Sequence, residues 1–242
     1  MTLDYNQLDP DGDVVLILER QYDNEGVEDV LADGKGSAPK KSSKPIKPTA
    51  AEEIPATEDT LIDDAEHIRM RVSSKHLILA SSYFRKMLRG GFKEAEELCA
   101  KGTVQIRLMD DHPAAMLILL NIIHGHTRRV PRVVGFRMLT QIAVLVDKYQ
   151  FHEVAEAFTD SWVANLKGGT PQTSLDDLRA AICIYWVFRK PSDFKSVTYT
   201  AQMESDARME ANGLPIPASI IGNITRIRCF VLQNLAVLTR CR

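Results

Sequence analysis

The sequence is short of nearly every feature that announces chemistry. No apolar run reaches the roughly 18 residues that read as a membrane-spanning helix. The opening stretch, MTLDYNQLDPDGD, is acidic and lacks the apolar core of a secretion signal. Cysteine is scarce, with Cys99, Cys183, Cys229 and Cys241 making 4 in 242 residues. None forms a CxxC pair, so neither zinc-ligand spacing nor a disulfide framework is present. They read as reduced thiols of a cytosolic or nuclear protein. An excess of one charge is also missing: 30 Lys and Arg stand against 32 Asp and Glu, for a net charge of -2. That balance gives no electrostatic footprint for nucleic acid or an anionic membrane, and neither is expected as a partner.

Catalytic motifs are missing as well. Ser81-Ser82 lie in a helical pattern and not in a GxSxG elbow. The segment DGKGS lacks the full GxxxxGK[ST] spacing of a phosphate loop. His67, His76, His112 and His152 are dispersed, with no acid or nucleophile at a telling distance. His124 and His126 form HxH, but they straddle an expected helix end at Gly125, so a loop or capping role is the reading. No catalytic, cofactor-binding or metal-ligating residue is assigned, and the chain is not expected to be an enzyme. No internal repeat is visible.

What remains is a patterned chain. Hydrophobic residues make up 45%, which is ample for a core at this length. Asp13 to Glu19 (DVVLILE) is short, apolar and β-branched, and predicts a buried strand. From Asp23 to about Asp64 no aromatic residue occurs. This Pro, Ser, Lys, Ala and Glu-rich stretch cannot offset its ordering entropy, and a disordered insertion is expected there. Its basic run KKSSKPIKP is balanced by Glu52, Glu53, Glu58, Asp59, Asp63 and Asp64 and reads as solvated, ahead of the alternative of a nuclear localisation or phosphate-binding patch. Ile68, Met70 and Val72 then alternate with polar residues as in a half-buried strand, and so do Val104, Ile106 and Leu108.

Between these strands, Leu77, Ala80, Ser81, Phe84 and Met87 or Leu88 give one or two short helices over about 74–88, stopped by Gly90-Gly91. After the last strand, Asp111 is placed to cap a helix with Pro113 in its first turn. That helix, AAMLILLNIIHG, is apolar on nearly every face and belongs inside a core. Phe136, Leu139, Ile142, Ala143, Val146 and Tyr149 mark the next helix, and Val154, Phe158, Trp162 and Leu166 another. Arg128, Arg129 and Arg132, between helices, read as solvated, the alternative being that they bound the site of an acidic partner. Beyond Gly168-Gly169, Ser174 to Asp177 resembles a capping box, and Leu178, Ile182 and Tyr185 form a stripe behind it. Trp186 cannot share the face of Tyr185: it either packs on a neighbouring helix or stands exposed as a contact. Pro191, Pro215 and Pro217 divide the rest into short pieces. Ile220, Ile224, Ile227, Val231 and Leu235 share a face in 220–242, which is either a docking helix or the remnant of a longer domain. The class is α+β, a small sheet covered by helices.

In order, GDVVLILE, RVSSKHLILASSYFRKML, VQIRLMD, LLNIIHG and IAVLVDKYQF resemble a BTB (POZ) domain, with wording close to the fungal-type branch. The signature residues are Lys75, His76, Leu77, Leu79, Ala80, Ser82, Tyr83 and Phe84, followed by FKE at Phe92 to Glu94. The resemblance implies a BTB/POZ domain over 11–167, interrupted at about 23–64, and a helical extension over 170–242. It also implies protein partners: a non-enzymatic scaffold or adaptor making homotypic or heterotypic contacts, self-association among them. Two further roles in the family are substrate adaptor of a cullin-RING ubiquitin ligase and transcription-associated regulator without its own DNA-binding domain. A cullin would meet an acidic and apolar segment, placed here at Met109, Asp110, Asp111 and His112, although the helix after it, AAMLILL, holds no acid. About ten residues precede the first expected strand, too few for the N-terminal helix and strand of the swapped dimers common in animal members.

Overall fold

A computed structural model describes residues 5–20, 67–166, 174–204 and 209–228. The expected disordered insertion, Cys229, Cys241 and the last part of the 220–242 segment lie outside the described residues.

A four-stranded mixed sheet forms one layer. Its strands are β1 (Tyr5–Gln7), β2 (Val14–Glu19), β3 (His67–Val72) and β4 (Val104–Leu108), in the order β1-β3-β2-β4. β2 pairs antiparallel with β3 and parallel with β4, so it is flanked on both edges. This explains its unbroken apolar run, since Val14, Leu16, Ile17 and Leu18 are all buried. β4 alternates buried and exposed residues along its whole length, as its sequence does. The three-residue β1 is too short to leave a pattern and is fixed by parallel pairing with β3, Tyr5 opposite Arg69. Asp13, expected to begin the first strand, stands just before it. Its carboxylate accepts from the Ser74 backbone N–H and hydroxyl, at 2.6 Å each. Gly12 makes this approach possible, because a Cβ there would lie 2.6 Å from the Val72 carbonyl oxygen.

Helices cover the sheet. α1 (Ser74–Ala80) and α2 (Ser82–Arg89) are separate because Ser81 between them is extended, at φ -139 and ψ 125. Its hydroxyl accepts from the Phe84 N–H, which caps α2. α3 (Lys93–Lys101), unforeseen in the sequence, buries no residue fully and ends at Gly102 with φ 72. Having no apolar stripe, it left no periodic signal. α4 (Pro113–Ile123) runs through the core, with Met116, Leu119 and Leu120 at zero exposure. α5 (Phe136–Tyr149) and α6 (His152–Leu166) complete the cluster. Trp162 is fully buried and its indole N–H donates to the Pro131 carbonyl at 2.9 Å.

The C-terminal region is helical. α7 (Leu175–Val187) opens with the expected capping box, Ser174 and Asp177 bonding reciprocally. It packs on α5 and on α8 (Pro191–Glu204), and its Cys183 thiol, pushed up to about 12 by burial, stays protonated. Trp186 packs on the neighbouring helix, its ring 5.9 Å from that of Phe194, and it stays 43% exposed. Residues 218–228 form a further helical stretch, with Ile224 buried.

Two leucines two residues apart, and so on opposite sides of α1, test this packing. Leu77 has no exposure and Leu79 is 78% exposed. Leu77→Ala is expected to cost about 2–5 kcal/mol in urea denaturation and Leu79→Ala less than about 0.5 kcal/mol. Equal effects would place the wrong face of α1 inward. Loss of the cap in Ser174→Ala should cost about 1 kcal/mol.

Candidate protein-contact site

The segment Met109-Asp110-Asp111-His112 leaves β4 and enters α4, and its four side chains meet four different fates. Asp110 adopts the left-handed conformation with φ 61, a region that Asp tolerates better than most residues. Met109 before it is 57% exposed, whereas Asp111 after it is 3% exposed. Asp111 therefore does not face a partner, and the expected pair of surface acids reduces to Asp110. Nor does Asp111 cap α4. That role falls to His112, whose Nδ1 accepts from the Ala115 N–H at 3.3 Å. The correction has a physical cause: the Asp111 carboxylate is already taken.

Lys148 donates to one Asp111 oxygen at 2.6 Å, and the Tyr149 hydroxyl donates to the other. Lys148 also donates to the Met109 carbonyl at 3.2 Å, so one ammonium clasps the turn at two points. Burial and the adjoining carboxylate push the Tyr149 hydroxyl pKa upward, so it remains a donor at any ordinary pH. No spacing rule could have found these partners, which lie 37 and 38 residues from Asp111. The turn is fixed from inside, and Met109 is presented outward.

The signature run divides between core and surface. Leu77 and Phe84 are buried. Lys75, His76, Leu79, Ser82 and Tyr83 are exposed, and Ala80 is half-buried. Ser82 carries no packing role. Ser81 does, with its hydroxyl donating to the Tyr149 carbonyl at 2.6 Å. Phe84 stacks on Tyr149 at 5.2 Å, and Tyr83 meets the same ring edge-on at 5.1 Å.

His124 fulfils the capping expectation at the end of α4. Its Nε2 accepts from the Ser73 N–H at 3.1 Å, which leaves Nδ1 to donate to the Leu120 carbonyl at 2.9 Å. This arrangement requires the neutral ring. Burial lowers its pKa, and His76, with ring centroids 4.9 Å apart, lowers it further. Arg128, Arg129 and Arg132 are exposed, as expected. Among the described residues, no three His, Cys, Asp or Glu side chains group as a metal site, and no helix is long and apolar enough to cross a membrane.

Residues 58–166 match the family model of the BTB/POZ domain. No curated protein matches the chain.

Two measurements test the site's framework. Asp111→Ala strands the buried Tyr149 hydroxyl and should cost about 1–3 kcal/mol of stability. Below pH 6.5 the unfolded chain binds a proton at His124 more readily than the folded one, so His124 contributes stability above that pH and loses it on acidification. The stability difference between the native chain and His124→Gln should thus be constant above pH 6.5 and shrink below it; a difference that grows on acidification would reverse the assignment.

Proposed function

We propose that this chain, whose residues 58–166 match the BTB/POZ domain, is a protein–protein interaction module and works as a non-enzymatic scaffold or adaptor whose contact face includes the turn at Met109 and Asp110. The observation that carries this reading is the clasp beneath the turn. A methionine that is 57% exposed stands on a backbone held by Lys148 and Asp111. Such a side chain buries apolar area on contact, and the preset turn loses little freedom when it binds. We place the domain over 11–167, interrupted at about 23–64, with a helical extension over 170–242. β2 supports that start, because it lies between β3 and β4 although it precedes the matched span.

Homotypic contact is the first form this function takes. Light scattering after size exclusion should show a mass that rises with concentration. A monomer at every concentration removes the homotypic form. The second reading, adaptor of a cullin-type ligase, is favoured by the same exposed Met109 beside Asp110. A pull-down should recover a cullin and lose it in the double variant Met109→Ala, Asp110→Ala; undiminished recovery removes this turn as the contact.

A further inference from the structure

The charges of this nearly neutral chain are distributed unevenly. The sequence holds 32 acids, yet residues 72–93 and 112–146 contain none. These two stretches meet where His76 on α1 lies against His124 at the end of α4. Along the exposed side of α1 run Lys75, His76 and Leu79, at helical spacing. Along that of α2 run Ser82, Arg85, Lys86 and Arg89. The Arg85 side chain donates to the Ile78 carbonyl at 3.1 Å, tying the α2 row to the last turn of α1. Lys75, Lys86 and Arg89 form no ion pair among the described residues. The Asp13 carboxylate, which meets the start of α1, spends both oxygens on Ser74.

The face is not polar throughout. It carries Leu79 at 78% exposure, the most exposed large hydrophobic side chain among the described residues. It is not needed for packing, because Leu77 fills the core below. Cations around an apolar projection match a partner of the opposite charge with an apolar residue of its own. Pairing this face with itself would set Lys75, Lys86 and Arg89 against their own copies, which costs energy. Nucleic acid is disfavoured because a phosphate backbone offers Leu79 nothing apolar to bury.

We infer that the α1–α2 face is a docking surface for an acidic peptide segment with an aliphatic residue seated against Leu79. This surface is distinct from the Met109 turn and does not rest on the reading of that turn. Electrostatic attraction sets the encounter and the choice of partner, and Leu79 supplies apolar contact.

The test is fluorescence anisotropy of the full chain with a labelled Glu-Glu-Leu-Glu-Asp-Leu-Asp-Glu peptide, beside its Gln/Asn analogue and a single-stranded oligonucleotide of equal charge. The acidic peptide should bind. It should weaken about tenfold or more in the triple variant Lys75→Ala, Lys86→Ala, Arg89→Ala, and several-fold in Leu79→Ala. Raising salt should weaken binding to the native chain more steeply than to the triple variant. Unchanged urea midpoints would show that all variants are folded. Equal affinity in the triple variant, equal binding of the neutral analogue, or an oligonucleotide that binds as tightly as the peptide and ignores Leu79→Ala would each overturn the proposal. Self-association abolished by the triple variant would overturn it too, since a second copy would then be the occupant. Loss of the Met109 contact leaves this result untouched, so the two readings fail separately.

Discussion

One aromatic ring holds the helical layer in register with the sheet. Tyr149 ends α5 and is 1% exposed, and it bonds through both of its ends. Its hydroxyl reaches Asp111 at the exit of β4, and its backbone carbonyl accepts from Ser81 at the break between α1 and α2. Phe84 stacks on the Tyr149 ring at 5.2 Å, and Phe151 stacks on Phe84 at 6.0 Å. A buried carboxylate is costly unless charge and hydrogen bonds compensate it. Here Lys148 and Tyr149 compensate it from consecutive positions. The polar contact is thereby tied to one arrangement of strand exit, helix break and helix end, which apolar packing alone would specify less sharply.

Much of the fold was legible because its elements carry strong periods. β4 alternates strictly, α5 repeats its apolar residues at helical spacing, and Ser174 announces a capping box that the structure forms. β1 and α3 were illegible for opposite reasons. β1 has three residues, and only pairing to β3 makes it a strand. α3 lies on the surface, where Glu94, Glu96 and Lys101 favour its ends without marking a buried face. The family resemblance was legible in the order of segments, while the detail inside the signature was not. Ser81 and Ser82 look alike in sequence, and only the extended backbone at Ser81 shows which hydroxyl is structural.

The candidate contact site was half legible. Met109 and Asp110 are exposed, as a partner-facing segment requires. Asp111 looked equally exposed in sequence, because nothing local distinguishes two consecutive aspartates. The distinction comes from the far end of α5, and a sequence read by spacing sees only near neighbours. The same limit hid the role of His112: a cap is read from residue type, and a histidine became the cap only because Asp111 was already engaged.

The two exposed faces share one framework, and this determines what each can contribute to binding. The Met109 turn is clasped by Lys148, and the adjacent Tyr149 receives the Ser81 hydroxyl that fixes the start of α2. Neither backbone must be ordered when a partner arrives, so the entropic cost of binding falls mainly on side chains and on the partner. Affinity then depends on what is desolvated. At the turn that is Met109, an adaptable apolar side chain beside a single acid. On α1 and α2 it is Leu79 among cations, where wrong partners are rejected by charge before apolar contact is made. On the two proposals, rigid presentation with different chemistry on each face would let one small domain contact two unlike partners without either having to reshape it.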